Sequence, residues 1–417
     1  MGKAPEIPAL TGLRFIAAGT VVFAHFADGS QFALFGLRSP ISVIGMPLFF
    51  TLSGFIVHYV YAGLFAKSWR AAVPAFAFAR FSRLYPLFFA ILLFYLLGKL
   101  GRMFYAHPGI GLSFASLTGT WWYWVADGVP LAGQRYHISW SISTEMFFYL
   151  LYALGIYRIA ALTNLRRCAI LLVALCLLTF VAFYGVFVTQ DTWQAWVLAR
   201  HPDYISTDVD MDNSFYRWLV YLSPYFHIPE FLAGCLTCQI YLLIRRSGAP
   251  LRTAAGEIFA WTGVAWLLAG LVLLVAQWDF GERGQFLDYV VFLHKNFLMA
   301  PGCCLLILAL ALGGSSIARA LGHGVPTYLG EVSYSIYLGH PFVFTFMVLL
   351  GLGAPAYVMT LGFGLVVLWA SLLYFAIERP GKAWLRAAFA GAYGLAILRP
   401  VARRDESEDA ARIAAGR

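Results

Sequence analysis

The sequence predicts an all-α polytopic membrane helix bundle of about ten transmembrane helices, with both termini in the cytoplasm. Three observations carry that prediction. The 417 residues are 61% hydrophobic and only 12% charged, a balance foreign to soluble globular chains. Apolar runs of about 20 residues, the length that crosses a ~30 Å hydrocarbon core, recur near 8–27, 41–63, 84–104, 138–157, 168–189, 219–243, 258–277, 290–312, 326–350 and 355–377. The basic residues alternate with those runs. With the N-terminus inside, twenty Lys and Arg fall in inside segments against six outside: Arg38, Arg135, Arg200, Arg217, Arg283 and Lys295. An odd number of spans breaks this positive-inside pattern.

The first run, LTGLRFIAAGTVVFAHF, reads as a membrane span that carries two ionisable residues, Arg14 and His25. An arginine at bilayer depth costs roughly 2.5–3.5 kcal/mol on insertion scales, so both residues are functional candidates. Eleven positions apart, they lie ~16 Å apart along a helix axis and ~20° around it, on one face at two depths. Helical side chains lean toward the N-terminus, which points Arg14 away from His25. The second run ends near Lys67 and Arg70, and the third is preceded by Arg80 and Arg83. The fourth, SWSISTEMFFYLLYALGIY, carries Glu145 and three serines. The cluster WWYW at 121–124 before it reads as an interfacial aromatic belt or as another short span.

Arg158, Arg166 and Arg167 precede the fifth run, and Arg245, Arg246 and Arg252 separate the sixth from the seventh. Cys235 and Cys238 make a CxxC in the sixth, but no second pair stands at metal-ligand spacing, so they read as membrane-helix residues and no metal is expected. Cys303 and Cys304 in the eighth read as small packing residues. The outer stretch TDVDMDN opens like a calcium loop at Asp208, Asp210 and Asp212. Asn213 and Leu219 then stand where glycine and glutamate belong, which favours a solvated loop. The ninth run carries Tyr334, Tyr337 and His340, with Glu331 and Ser333 as helix-entry groups.

Residues 1–385 therefore form one transmembrane domain and 386–417 a polar cytoplasmic tail. No cleavable signal peptide, second soluble domain or internal repeat is evident. The net charge of +9 is spread over many short loops, which argues for topology and against nucleic-acid binding.

Five segments together resemble one family. They are TGLRFIAAGTVVFAHF (a basic residue, ten positions, histidine), FARFSRLYPLFF, SWSISTEMFFYL, GEVSYSIYLGHPFV and AIERP. In this order they are similar to the motifs of membrane acyltransferase family 3, in a stand-alone form. The resemblance implies transfer of an acyl group, usually acetyl, from cytoplasmic acyl-CoA to a hydroxyl of a carbohydrate or lipid-linked glycan at the outer face. It further implies a multi-pass protein of the inner (plasma) membrane, with polysaccharide-biosynthesis proteins as possible partners.

Depth arithmetic gives that chemistry two layers. Arg14 lies ~9 Å above the inner boundary, whereas His25, Glu145 and His340 all fall in the outer third of the core. On the inner side Arg14, Arg80 and Arg83 can clamp the phosphates of acyl-CoA, because guanidinium forks match phosphate oxygens. On the outer side His25 can act as general base toward the acceptor hydroxyl, with Glu145 orienting its imidazole. Ser141, Ser143, Tyr334, Tyr337 and His340 are the candidate substrate contacts. Direct transfer and a covalent acyl-enzyme both stay open.

Plainer roles compete with each of these. His25 and His340 can be packing hydrogen-bond groups, Arg80 and Arg83 positive-inside anchors, Arg14 a snorkelling cation and Glu145 a helix-pairing group. The aromatics Trp121, Trp122, Tyr123, Trp124, Tyr136, Trp193, Trp196, Tyr204 and Tyr216 suit sugar stacking and membrane interfaces equally. Two other functions also fit the composition: a glycan transporter or flippase, and an acyltransferase for a cytoplasmic small molecule.

Overall fold

The computed structural model describes residues 5–28, 42–96, 117–121, 139–200, 218–248, 253–279, 285–294, 297–351 and 356–393. Among them no residue is in a β-strand. Helix α1 (Pro8–Asp28) opens on proline, whose missing N–H costs nothing in a first turn. Helices α2 (Ser42–Lys67) and α3 (Trp69–Leu96) meet at Ser68. Helix α4 (Ser139–Leu154) leads through a 3-10 turn (Ile156–Ala161) to α5 (Leu165–Val188), whose cap Asn164 accepts from the Arg167 amide at 3.0 Å.

A short helix α6 (Gln190–Leu198) follows, then α7 (Ile228–Ser247), which stops at Gly248 in the left-handed region with φ 64°. Next come α8 (Thr253–Asp279), α9 (Gln285–His294), α10 (Ala300–Leu312) and α11 (Ser316–Leu321). The chain closes with α12 (Gly324–Glu331), α13 (Ser333–Leu349), α14 (Ala356–Leu373), a π-turn (Tyr374–Glu378) and α15 (Arg379–Tyr393).

Every one of the ten expected runs carries helix, and the protein is an all-α, multi-pass membrane bundle. Seven stretches of described helix are long and apolar enough to cross a bilayer, and α12 with α13, bent by 68°, makes an eighth if the pair is one span. The fourth and eighth runs fall short. Helix α4 has 16 residues, ~24 Å at 1.5 Å per residue, and the eighth run breaks into α9 and α10. Helix α3 starts at Trp69 rather than near residue 84, so Arg80 and Arg83 lie inside a candidate span and not in a loop before it. The last helix continues past residue 385 to Tyr393, and the tail from 394 lies outside the described residues.

The bundle centre is made by backbones in contact. Helices α2 and α7 meet where a Cβ on Gly54 would strike the Phe231 carbonyl and one on Gly234 the Thr51 carbonyl. Helix α1 is gripped in the same way, with Gly330 of α12 against the Thr11 carbonyl. Small residues at such crossings let helices gain dispersion contacts where lipid removes the hydrophobic drive. Large apolar side chains instead face outward, among them Leu178 and Val181 on α5 and Leu368 and Leu372 on α14, as a lipid-facing surface requires.

Candidate active site

Arg14 of α1, Arg80 and Arg83 of α3 and Lys382 of α15 converge on a cavity of about 450 Å³. Arg80, 6% exposed, donates to the Tyr61 hydroxyl at 2.8 Å and lies over the Tyr61 and Tyr149 rings at 4.8 and 5.5 Å. Such stacking suits a guanidinium and fixes its plane. Tyr149 in turn donates to Glu145, which also accepts from Ser53 at 2.8 Å. Glu378, on the π-turn, accepts from Ser335 at 2.6 Å. Among the described residues Arg14, Arg83 and Lys382 form no direct hydrogen bond or ion pair, and the buried Arg80 Nε has no partner. The chamber thus gathers four cations against four lining carboxylates, of which Glu145 and Glu378 are held by hydroxyl groups and Glu6 and Glu331 are exposed.

His25 and His340 form a second cluster. Their ring centroids are 5.0 Å apart, and His340 Nε2 lies 3.2 Å from His25 Nδ1. The sequence around His340 sets its tautomer. Pro341 has no N–H, so the Tyr337 carbonyl loses its helical donor, and His340 Nδ1 occupies that position at 2.7 Å. A carbonyl only accepts, so His340 carries its proton on Nδ1 and turns the lone pair of Nε2 toward His25. His25 Nδ1 also lies 2.9 Å from the Val21 carbonyl and therefore bears a proton, shared between that oxygen and His340. In neutral His25 the basic nitrogen is then Nε2. Protonating His340 would set two N–H groups against each other, so the pair holds one positive charge at most, on His25.

Tyr337 joins the two clusters. Its hydroxyl lies 2.7 Å from Ser141 Oγ at the chamber wall, and its ring centroid is 6.2 Å from that of His340. Tyr334 also lines the chamber and donates to the Leu84 carbonyl at 2.8 Å. Ser143 does not join them. Its hydroxyl is engaged by the amide and hydroxyl of Thr120 at 3.2 and 2.9 Å, which hold the irregular segment 117–121 within the bundle.

Glu145 is placed differently from the expectation. It lies in the arginine chamber, bonded to Ser53 and Tyr149 and not to His25. The reason is the level of α4. Ser141 pairs with Tyr337, one turn before His340, so Glu145, four residues further on, lies another turn from the histidines. The orienting partner of His25 is His340 instead. Sequence reasoning missed Ser53, Tyr61 and Tyr149, whose positions in apolar helices carried no signal. It also missed Lys382, for which the i,i+4 spacing from Glu378 was available.

Of the aromatic candidates, Trp121 packs on Phe147 at 5.1 Å and donates to the Ser143 carbonyl at 2.8 Å, while Trp193 and Trp196 are exposed on α6. Trp122, Tyr123, Trp124, Tyr136, Tyr204, Tyr216 and the acidic positions Asp208, Asp210 and Asp212 lie outside the described residues. Neither the curated proteins nor the solved structures contain a match to the chain. A family profile described as an acyltransferase domain matches residues 7–375, which takes in both clusters except Glu378 and Lys382. The chain belongs to membrane acyltransferase family 3.

Proposed function

We propose that this membrane acyltransferase moves an acyl group, most simply acetyl, from acyl-CoA held in the arginine chamber to a hydroxyl of a carbohydrate or lipid-linked glycan at His25. The supporting observation is a length. On α1, Arg14 and His25 are eleven residues or ~16 Å apart. The pantetheine arm has twelve bonds from its terminal oxygen to sulfur. That equals about four residues of extended backbone, or ~14 Å. Phosphates clamped by Arg14, Arg80 and Arg83 therefore put the thioester within reach of the histidines, past Tyr337 and Ser141.

The acceptor oxygen attacks the thioester carbonyl while His25 Nε2 takes its proton. The tetrahedral intermediate collapses by breaking the carbon–sulfur bond, and the His25 imidazolium returns the proton to the thiolate. Products are the ester and free CoA. His340 stabilises the charged form of His25 by accepting from Nδ1–H. Glu145 acts through Tyr149, holding Arg80 in its stacked position. In this reading the chamber faces the cytoplasm and the histidines the outer side of the inner (plasma) membrane.

The test is mass spectrometry of envelope and secreted glycans from a strain lacking the gene, complemented with wild type or with His25→Ala. Ester-linked acyl groups return with the wild type, whereas the variant restores them at a rate lower by roughly 10²–10⁴. Full restoration by His25→Ala overturns the general-base assignment.

A further inference from the structure

Resting on the acyl-CoA reading above, the structure assigns Lys382 and Arg386 of α15 to the donor site. We infer that this basic pair binds the 3′-phosphate of the CoA nucleotide and so selects CoA thioesters over acyl groups carried on a phosphopantetheine arm alone. Both residues lie beyond the family match, which ends at residue 375.

Helix α15 turns its basic face inward. Gly381 sits so close to α3 that a Cβ there would come within 2.7 Å of Pro86, and Phe389 stacks on Phe78 with ring centroids 3.6 Å apart. Trp384, on another face, is 69% exposed. A basic amphipathic helix at a membrane surface normally points its cations to water. Here the close packing sets Lys382 into the chamber wall and Arg386 Nε 3.5 Å from Ser82 Oγ, within electrostatic reach of Arg80 and Arg83.

Charge balance identifies the ligand class. Arg14, Arg80, Arg83, Lys382 and Arg386 share a neighbourhood whose carboxylates are the buried Glu378, held by Ser335, the half-buried Glu145, held by Ser53 and Tyr149, and the exposed Glu6 and Glu331, which also line the chamber. Clustered like charges in a low-dielectric setting repel strongly, and a polyanion relieves that repulsion. A phosphopantetheine arm brings one phosphate. CoA brings a pyrophosphate and, beyond it, a 3′-phosphate. Position supplies the order: Arg386 lies one turn, ~6 Å, further along α15 than Lys382, away from the α14 end that leads back toward the histidines. The pyrophosphate falls to the inner arginines, and the terminal phosphate falls to the α15 pair. A phosphate–guanidinium or phosphate–ammonium bond of this kind corresponds to roughly 10- to 100-fold in affinity.

The test is equilibrium binding of CoA and dephospho-CoA to the purified full-length protein in detergent. The wild type is expected to prefer CoA by at least about tenfold. Lys382→Ala and Arg386→Ala should each bring the two ligands to near-equal affinity by weakening CoA alone, and Lys382→Arg should retain the preference. Equal affinities in the wild type, a preference that survives both alanine variants, or a loss of both ligands that Lys382→Arg also shows would overturn the assignment. A wild type that binds neither nucleotide refutes the acyl-CoA reading itself. Intact acyl transfer from CoA thioesters with no nucleotide-phosphate preference refutes only the role of α15.

Discussion

Pro341 and His340 show how one missing amide hydrogen sets the proton position on a neighbouring histidine pair. The freed Tyr337 carbonyl fixes the His340 tautomer, and His340 then accepts from His25. Removing that acceptor should slow chemistry without touching donor binding. For His340→Ala we expect kcat to fall roughly 10- to 100-fold, the value of one hydrogen bond to a charged group, with KM for acyl-CoA unchanged. Steady-state kinetics on purified protein check this, and a rise in KM at constant kcat would place His340 in binding instead. The sequence pattern put His25 and His340 at one depth, and in the structure their ring centroids lie 5.0 Å apart. It misplaced Glu145 because depth was counted from an assumed start of α4 at the bilayer edge, whereas hydrogen bonds to Thr120 and Tyr337 set its level. Side-chain pairing between helices has no periodicity in one sequence.

At the scale of elements, hydropathy put helix in all ten expected runs but passed over the short α6 and α11, the amphipathic α15 and several helix ends. Helix α3 starts at Trp69, and its Arg80 and Arg83 line a cavity inside the bundle, whereas a hydropathy window reads such residues as loop. The glycine crossings were equally silent in composition. Gly330→Ala should destabilise the bundle by about 1–3 kcal/mol, since the added methyl meets the Thr11 backbone of the helix that carries Arg14. Gly364→Ala on α14, where no atom lies within 4 Å of the new carbon, should be neutral or stabilise by about 0.5–1 kcal/mol. Thermal unfolding in one detergent separates the two, and equal effects would show that the α1–α12 contact is not tight.

On the scale of the whole molecule, the family match and the helix bundle describe a multi-pass membrane acyltransferase. In the proposed reaction donor and acceptor meet along α1, where Arg14 and His25 lie on one face ~16 Å apart. The histidine pair adds a bioenergetic consequence. Under the proposed mechanism the pair takes up one further proton, that of the acceptor hydroxyl, and passes it to the departing thiolate, so one acyl group moves outward in exchange for one hydroxyl hydrogen and no net charge crosses the membrane. Acyl transfer by energised vesicles should therefore proceed at an unchanged rate when a protonophore collapses the gradient. A rate that follows the gradient would instead favour a proton-coupled transporter. On that reading no step is tied to the proton-motive force, the thioester alone drives the reaction, and the cell's supply of activated acyl groups becomes its only fuel gauge.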